Sequence, residues 1–498
     1  MKFIENLAKG SLVLLFGIFL SKLLSYIYRV IVARYLGSSD YGLLILGLAV
    51  FGVANLIASL GMRSGVLRYV SFYLGKKDYK KVKGVILSSL KLTFILGVFL
   101  GVILFFVSDF LAINLFHNSK LIILLKILAV GLPFVAMLDI LLGVFLGFQK
   151  PKYEVINDKV IRSIVQILVT LFLIMLGYNV LGAAWGFVIG VITSTLLSLF
   201  ILEFKLLKFL KSFVNHIKMT KELVNFSWPL VLTLVSGLII SYIDTFMLGY
   251  FKTASEVGIY NVALPTSALL LILPAALFVN MLSAMTNLYA QKKLNELKKV
   301  YNTVVRWLFL INFPIFLFII FFSEGIITSL FGKEYLSANL ALIVLSLGYL
   351  FHSLISYPNI SVLEVFKRTK TILLINVIIT VLNIIINYLL IPEYGIIGAA
   401  IGTGGSFILG AILFFLITKD IAKLSPKFIS YWKIFLASII SIFVVYLLST
   451  FLNVSLMSLI ILFIALIVIY NLLMFLIKGF TKEDLIAFKA VLTGVFNR

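Results

Sequence analysis

Apolar runs long enough to cross a lipid bilayer recur from one end of this chain to the other and leave little sequence over for a soluble domain. About 20 consecutive apolar residues span the hydrocarbon core. Fourteen such stretches can be drawn, at about 11–35, 42–66, 85–107, 121–147, 157–177, 181–202, 229–250, 259–288, 303–322, 337–362, 371–391, 396–417, 432–452 and 455–477. With 62% hydrophobic and 12% charged residues, a soluble fold has no interior large enough for them. Inside lipid each segment must satisfy its own backbone polar groups, which selects helices. The expected fold is an all-α polytopic membrane protein of about fourteen transmembrane helices. The apolar run from Ser11 resembles a signal-peptide core, but SKLLSY follows it rather than a small-residue cleavage site, so it reads as an uncleaved first helix.

A net charge of +23 suggests nucleic acid in a soluble protein, and here its placement gives another reason. Lysine and arginine cluster in alternate loops. They fall at Lys76–Lys83, Lys150–Lys159, Lys205–Lys221 (with Lys208 and Lys211), Lys292–Lys299, Lys367–Lys370 and Lys419–Lys433 (with Lys427). The tails add Lys2, Lys9, Lys478, Lys482, Lys489 and Arg498. The opposite loops hold Lys120, Lys252 and Lys333, with Arg34 at a helix end. The positive-inside rule then puts both termini in the cytoplasm, in a multi-pass protein of the cell membrane, with no nucleic-acid partner. The chain has no cysteine, so disulfide and thiol chemistry are out, and its three histidines have no zinc-ligand spacing.

The sequence also repeats. Gly42 aligns with Gly258, Tyr73, Lys76 and Lys77 with Tyr289, Lys292 and Lys293, and YNVLGAAWG at Tyr178 with YGIIGAAIG at Tyr394, each 216 residues apart. FFVSDFLAINLF from Phe105 similarly matches FFSEGIITSLF from Phe321. The expected organisation is a six-helix repeat at 1–205, a second at 216–420, and two further helices at 430–480. An even number of helices sends both repeats into the membrane in the same direction, and parallel repeats enclose a central cavity that opens alternately to the two sides.

Charges inside the spans point to what that cavity holds. Lys22, Ser25, Tyr26 and Arg29 share one face of the first helix. A lone cation near the bilayer centre costs about 2.5–3.5 kcal/mol on insertion scales, so two on one stripe require water, a counter-charge or an anionic ligand. Asn55, Ser59 and Arg63 form a second polar face on helix two. The candidate substrate-binding residues are Lys22, Tyr26, Arg29, Asn55 and Arg63. Asp244 and Asp139 are the candidates for gating or for coupling to H+ or Na+. Asp244 lies 215 residues after Arg29, which puts the two at equivalent depth and predicts that they approach each other when the outer side is closed. Arg162 is expected to pair with Asp139 across neighbouring helices, and Lys91, Lys126 and Arg306 to snorkel from helix ends. Pro265 and Pro274 are expected to kink helix eight, and His352 to serve packing.

VARYLGSSDYGLLILGLAV after the first helix, DTFMLGYFKTASEVGIYNVA around the seventh and YLLIPEYGIIGAAIGTG before the twelfth resemble the Wzx-like polysaccharide flippases of the MOP superfamily. The resemblance runs over essentially the whole chain. It implies flipping of a lipid-linked oligosaccharide, on a prenyl phosphate or pyrophosphate, from the cytoplasmic to the outer leaflet. It also implies a cationic cavity for the phosphate, membrane lipids as surroundings and glycan-assembly enzymes as partners. Lipid II-type flippases and MATE-type cation-coupled drug exporters share the superfamily. A cationic drug wants an acidic cavity, whereas the buried charge here is mostly positive. A membrane glycosyltransferase or polymerase generally needs a large outer loop or paired carboxylates. The outer loops offer only the isolated Asp40, Asp109, Glu256, Glu324, Glu334 and Glu393, and no enzyme activity is expected.

Overall fold

The computed structural model describes residues 2–207, 217–424, 431–453, 455–481 and 484, which are overwhelmingly helical. Lys208, Lys211, Lys427, Lys482, Lys489 and Arg498, counted above among the clustered cations, lie outside the described residues. Ten helical stretches are long and apolar enough to cross a membrane. Two of them, Leu20–Gly75 and Thr369–Ala422, each hold two crossings, divided at Gly37 and Gly395. With segments 151–175 and Thr220–Phe251 they supply the fourteen helices expected. These are α1 (2–36), α2 (38–75), α3 (Tyr79–Leu115), α4 (Lys120–Gly147), α5 (151–175), α6 (Asn179–Leu207) and α7 (Thr220–Phe251). They continue as α8 (Ala254–Ala290), α9 (Leu294–Phe321), α10 (Ala338–Val365), α11 (369–394), α12 (396–422), α13 (Trp432–Ser449) and α14 (Leu456–Leu476).

The turns follow from local chemistry. Gly37 (φ +75°) and Gly395 (φ +53°) reverse the chain in conformations that a Cβ disfavours. Asp78 caps α3 by accepting from the Lys81 N–H at 3.1 Å, and Ser455 and Ser458 form a capping box that opens α14. Lys77 and Lys292 (φ +56° and +58°) and Gln149 and Lys367 (φ +56° and +58°) end their helices in the same left-handed step, close to the 216-residue offset of the repeat. As expected, Pro265 and Pro274 bracket a break in α8, where a 3₁₀ turn, Ala268–Leu271, interrupts the helix.

The chain packs as two compact units, Met1–Asn261 and Val262–Arg498. In the first, α3 lies on α4, α5 on α6, and α4 on both α2 and α6. Met62, Val66, Val85, Ile86, Ile140, Val144, Leu202 and Leu223 meet at its centre. The start of α7 also belongs here: the Met219 N–H donates to Ser88 Oγ at 3.1 Å, and Gly84 lies against the Ile217 carbonyl. In the second unit, α10 packs on α11 and α12, α8 on α9 and α10, and α13 on α9 and α14. His352 stacks flat on Phe407, ring centroids 4.7 Å apart, as a packing residue. Arg306 does not snorkel. It donates to Asp484 (3.0 Å) and to the Gly479 carbonyl, while the Trp307 indole donates to Asp484 at 2.9 Å. Burial works against the Asp484 charge, but the Thr481 N–H and Arg306 outweigh it and hold the carboxyl below its ordinary range. The contact is therefore kept at neutral pH and lost as pH falls through that lowered value.

Within the first unit the starts of α2 and α8 touch backbone to backbone. A Cβ on Gly42 would sit 1.7 Å from the Ala254 carbonyl oxygen, and one on Gly258 would sit 2.0 Å from that of Ser38. Residues 38 and 254, like 42 and 258, are 216 apart, so the contact is reciprocal in the manner of a twofold-related pair. The Ser38 and Ser255 hydroxyls hydrogen-bond across it at 2.8 Å. Gly42→Ala should cost about 1–3 kcal/mol by overpacking, seen as a lower melting temperature in detergent. Gly405→Ala, at a position with open space around it, should leave the melting temperature unchanged.

Candidate functional site

The polar residues of the first unit converge on a seam where α1 and α2 meet α4 and α5. The first half of α5 supplies most of it, because Glu154, Asp158, Arg162, Gln166 and Thr170 recur every fourth residue and share one face. Over Val155–Ile161 the helix widens into a π-helical turn, a feature often found where side chains are aimed at a site.

On one wall of a polar pocket of about 160 Å³ stand Ser21, Leu24, Ser25 and Tyr28 of α1. The other wall is Asp158, Lys159, Arg162, Ser163 and Gln166 of α5. Asp158 is nearly inaccessible and is gripped by both Lys159 and Arg162, the latter at 2.8 Å. Deeper in the seam, Asn55 Nδ2 donates to Asp139 Oδ2 at 3.1 Å, and Arg63 donates to the buried Glu154 Oε1 at 2.8 Å. Asn55 Oδ1, the second Glu154 oxygen and the Tyr28 hydroxyl are buried there without a well-aligned hydrogen bond. Tyr28 lies beside Thr170 and Gln166. A buried polar atom left in that condition costs about 1–3 kcal/mol, so the seam is not optimised for packing alone.

The expected face of α1 is split between two surroundings. Ser25 faces the pocket, whereas Lys22 is exposed and Tyr26 and Arg29 are half-buried beside it. Arg29 reaches the hydroxyl of the buried Tyr41, which in turn donates to the Asn261 carbonyl at 3.4 Å. Asp244, 4% exposed on α7, accepts a 2.5 Å hydrogen bond from Tyr260. Arg29 and Asp244 are thus each held by a tyrosine, and Tyr260 adjoins the Asn261 that Tyr41 contacts. The seam itself is balanced, with Asp139, Glu154 and Asp158 against Arg63, Lys159 and Arg162. Among the described residues neither Lys22 nor Arg29 has a carboxylate within ion-pair distance.

Two sequence expectations change. Arg162 binds Asp158, one turn earlier on its own helix, rather than Asp139. Asp158 lies four residues earlier, the ordinary spacing of side-chain neighbours on a helix, so it takes the guanidinium first. Asn55 and Arg63 stand on either side of a break in α2, where Leu60 and Gly61 both take left-handed backbone, and each is engaged by a carboxylate, Asp139 and Glu154. The sequence analysis does not single out Glu154, Asp158 and Gln166, although their fourfold spacing with Arg162 on α5 is readable, and it counts Lys159 only among the clustered cations.

A bundle of membrane-length helices with a charged seam, and with two further cations that lack a carboxylate partner among the described residues, has the make-up of a multi-pass membrane transporter. A family model described as polysaccharide biosynthesis protein matches residues 7–282, and one described as lipid II flippase MurJ matches residues 159–471. The chain belongs to the polysaccharide biosynthesis protein family, and more than half of it also fits the MurJ model. It is 25% identical to a probable low-salt glycan biosynthesis flippase, Agl15, of Haloferax volcanii, over 82% of each chain. It is 24% identical to a putative O-antigen transporter of Shigella flexneri, over 82% of this chain and 96% of that one. In fold it resembles a lipid II flippase MurJ in an inward closed conformation (TM-score 0.73, 20% identity, 97% of this chain and 99% of that one). It also resembles an inward-facing multidrug resistance MATE transporter of the MOP superfamily (TM-score 0.70, 18% identity, 81% and 94%).

Because Glu154 is buried and Arg63 is its ion-pair partner, Arg63→Gln should cost more than Arg63→Gln with Glu154→Gln together. A double-mutant cycle on thermal stability should give a coupling of about 1–3 kcal/mol. A coupling near zero would mean that the pair is no stronger than an exposed one.

Proposed function

We propose that the protein flips a lipid-linked oligosaccharide, carried on a prenyl phosphate or pyrophosphate, from the cytoplasmic to the outer leaflet of the cell membrane by alternating access. The observation that carries this reading is the pair of cations on α1, Lys22 and Arg29, which have no carboxylate partner among the described residues, beside a seam where Arg63, Lys159 and Arg162 each have one. A transporter that breaks no covalent bond needs charge complementarity rather than a nucleophile, and phosphate is bound through charge-assisted hydrogen bonds. Lys22, exposed beside the pocket, receives the phosphate first. Arg29 and Tyr26 line the way onward, and Asn55 and Arg63 keep the inner half polar.

The positive loops support cytoplasmic termini. The 216-residue offset supports two parallel repeats, 1–205 and 216–420, followed by the pair at 430–480. The reciprocal contact of Gly42 and Gly258 then acts as an outer gate that must part for release. Asp139 and Asp244 are the intramembrane carboxylates through which an H+ or Na+ gradient would drive the cycle. Glycan-assembly enzymes would supply the loaded carrier and consume it. The names of the relatives support the substrate class. The cationic character of α1 weighs against a cationic drug.

In vesicles reconstituted with a fluorescent prenyl-pyrophosphate sugar, Lys22→Gln should slow leaflet exchange at least about tenfold, the effect of about 1.4 kcal/mol of lost phosphate binding. Arg29→Asp should abolish exchange, and Arg29→Lys, which keeps the charge, should retain part of it. Full exchange by Lys22→Gln, or no exchange of any prenyl-linked sugar by the wild type, would overturn the assignment.

A further inference from the structure

A second lipid-facing site is built on the opposite flank of the first unit, away from α1. One face of α3 carries Tyr79, Lys83, Leu87, Lys91 and Phe94 at successive turns. At its outer end Tyr79 and Lys83 meet Phe204, Lys205, Leu206 and Leu207 of α6 around a cavity of about 380 Å³. Deeper along the same face lies a groove of about 700 Å³, lined by Leu90, Lys91, Phe94 and Ile95 of α3, Met137 of α4 and Leu199 of α6. It is closed at one end by Lys218 and Thr220 at the start of α7. Its volume is that of an ordinary ligand pocket, about 300–1,000 Å³.

The lining changes character along its length. Lys83, Lys91, Lys205 and Lys218 cluster toward the lysine-rich ends of the helices, and among the described residues none of the four has a carboxylate within ion-pair distance. Toward the middle of the bundle only apolar groups remain: Phe94, Ile95, Met137 and Leu199. From Leu87 to Ile95 the groove runs about 12 Å along α3, at 1.5 Å per residue. A cationic mouth leading to an apolar furrow at membrane depth has the shape and charge of one amphiphile, a phosphate head with hydrocarbon chains. Basic pockets between transmembrane helices at the cytoplasmic surface bind anionic head groups in this way.

We propose that this groove holds an anionic phospholipid of the surrounding bilayer, its phosphate between Lys91 and Lys218 and one chain along Phe94 and Ile95. The occupant is a resident lipid and not the transported carrier, because the groove is made by α3, α4, α6 and the entry to α7 and shares no residue with the α1 stripe. Bound there, the lipid bridges α3 to the first residues of α7, reinforcing the contact already made by Ser88 with the Met219 N–H.

The test uses full-length protein in nanodiscs of phosphatidylcholine doped with phosphatidylglycerol, with retained lipid counted by native mass spectrometry. Wild type should retain phosphatidylglycerol in preference to phosphatidylcholine. Lys91→Gln with Lys218→Gln should reduce that preference about thirtyfold, from the contribution of each lysine near a membrane surface. Lys91→Arg with Lys218→Arg should keep it, which separates lost charge from lost folding, and Lys367→Gln with Lys370→Gln on another loop should leave it intact. An unchanged preference in the double glutamine variant overturns the site. Retention of added polyprenyl phosphate in place of phosphatidylglycerol overturns the choice of occupant.

Discussion

The organising constraint is the cost of placing charge where water is scarce. A chain committed to helices in lipid can keep an ionised side chain only if something answers it. Through most of the first unit the answer is internal, with Arg63 on Glu154 and Lys159 and Arg162 on Asp158. Such pairs seldom add much stability over well-packed apolar residues, since desolvation offsets the attraction. Their value here is positional. Arg63 on Glu154 ties α2 to α5, while the Asp158 pairs lie within α5 and shape the polar seam against which α1 lies. Beside that seam, Lys22 and Arg29 have no carboxylate within ion-pair distance among the described residues, and Arg29 leans on the Tyr41 hydroxyl.

A second constraint works through absence of side chain. Helices of a membrane protein gain little from the hydrophobic effect between themselves, so their contacts rest on close backbone approach and hydrogen bonds. The Gly42–Gly258 crossing is such a contact, tight and closed by a single hydroxyl pair between Ser38 and Ser255. A surface of this kind makes or breaks as a whole and stores little energy in between, which suits a gate. Arg29, Tyr41, Asn261, Tyr260 and Asp244 form a chain of contacts just beside it. Substrate bound at α1, as proposed, would lie within a few side chains of this contact.

Much of this was legible in the sequence, and what was not has a definable cause. Apolar run length gave the fourteen helices because hydrocarbon thickness leaves few alternatives. The 216-residue offset announced Gly42 and Gly258 as equivalent, though not that they would press against each other. The face that Lys22, Ser25 and Arg29 share in the sequence is divided in the structure, since Ser25 lines the pocket with α5 and Lys22 does not. A helical wheel shows which residues are neighbours but not which neighbouring helix each will meet. Arg162 meets Asp158 rather than Asp139 because the i,i+4 neighbour on its own helix is nearer than a partner across the seam. Arg306 was read as a snorkelling residue because Asp484 lies 178 positions away, beyond any local pattern.

The central claim is that α1 carries the phosphate-binding surface. It is tested most directly by replacing Tyr26 with a photo-crosslinking amino acid and irradiating the protein with a radiolabelled prenyl-pyrophosphate sugar. The account predicts labelling at position 26 that excess unlabelled carrier and inorganic pyrophosphate both suppress. A crosslinker at the exposed Phe106 of α3 should give only labelling that pyrophosphate does not compete. Equal, uncompeted labelling at both positions, or none at position 26, would contradict it.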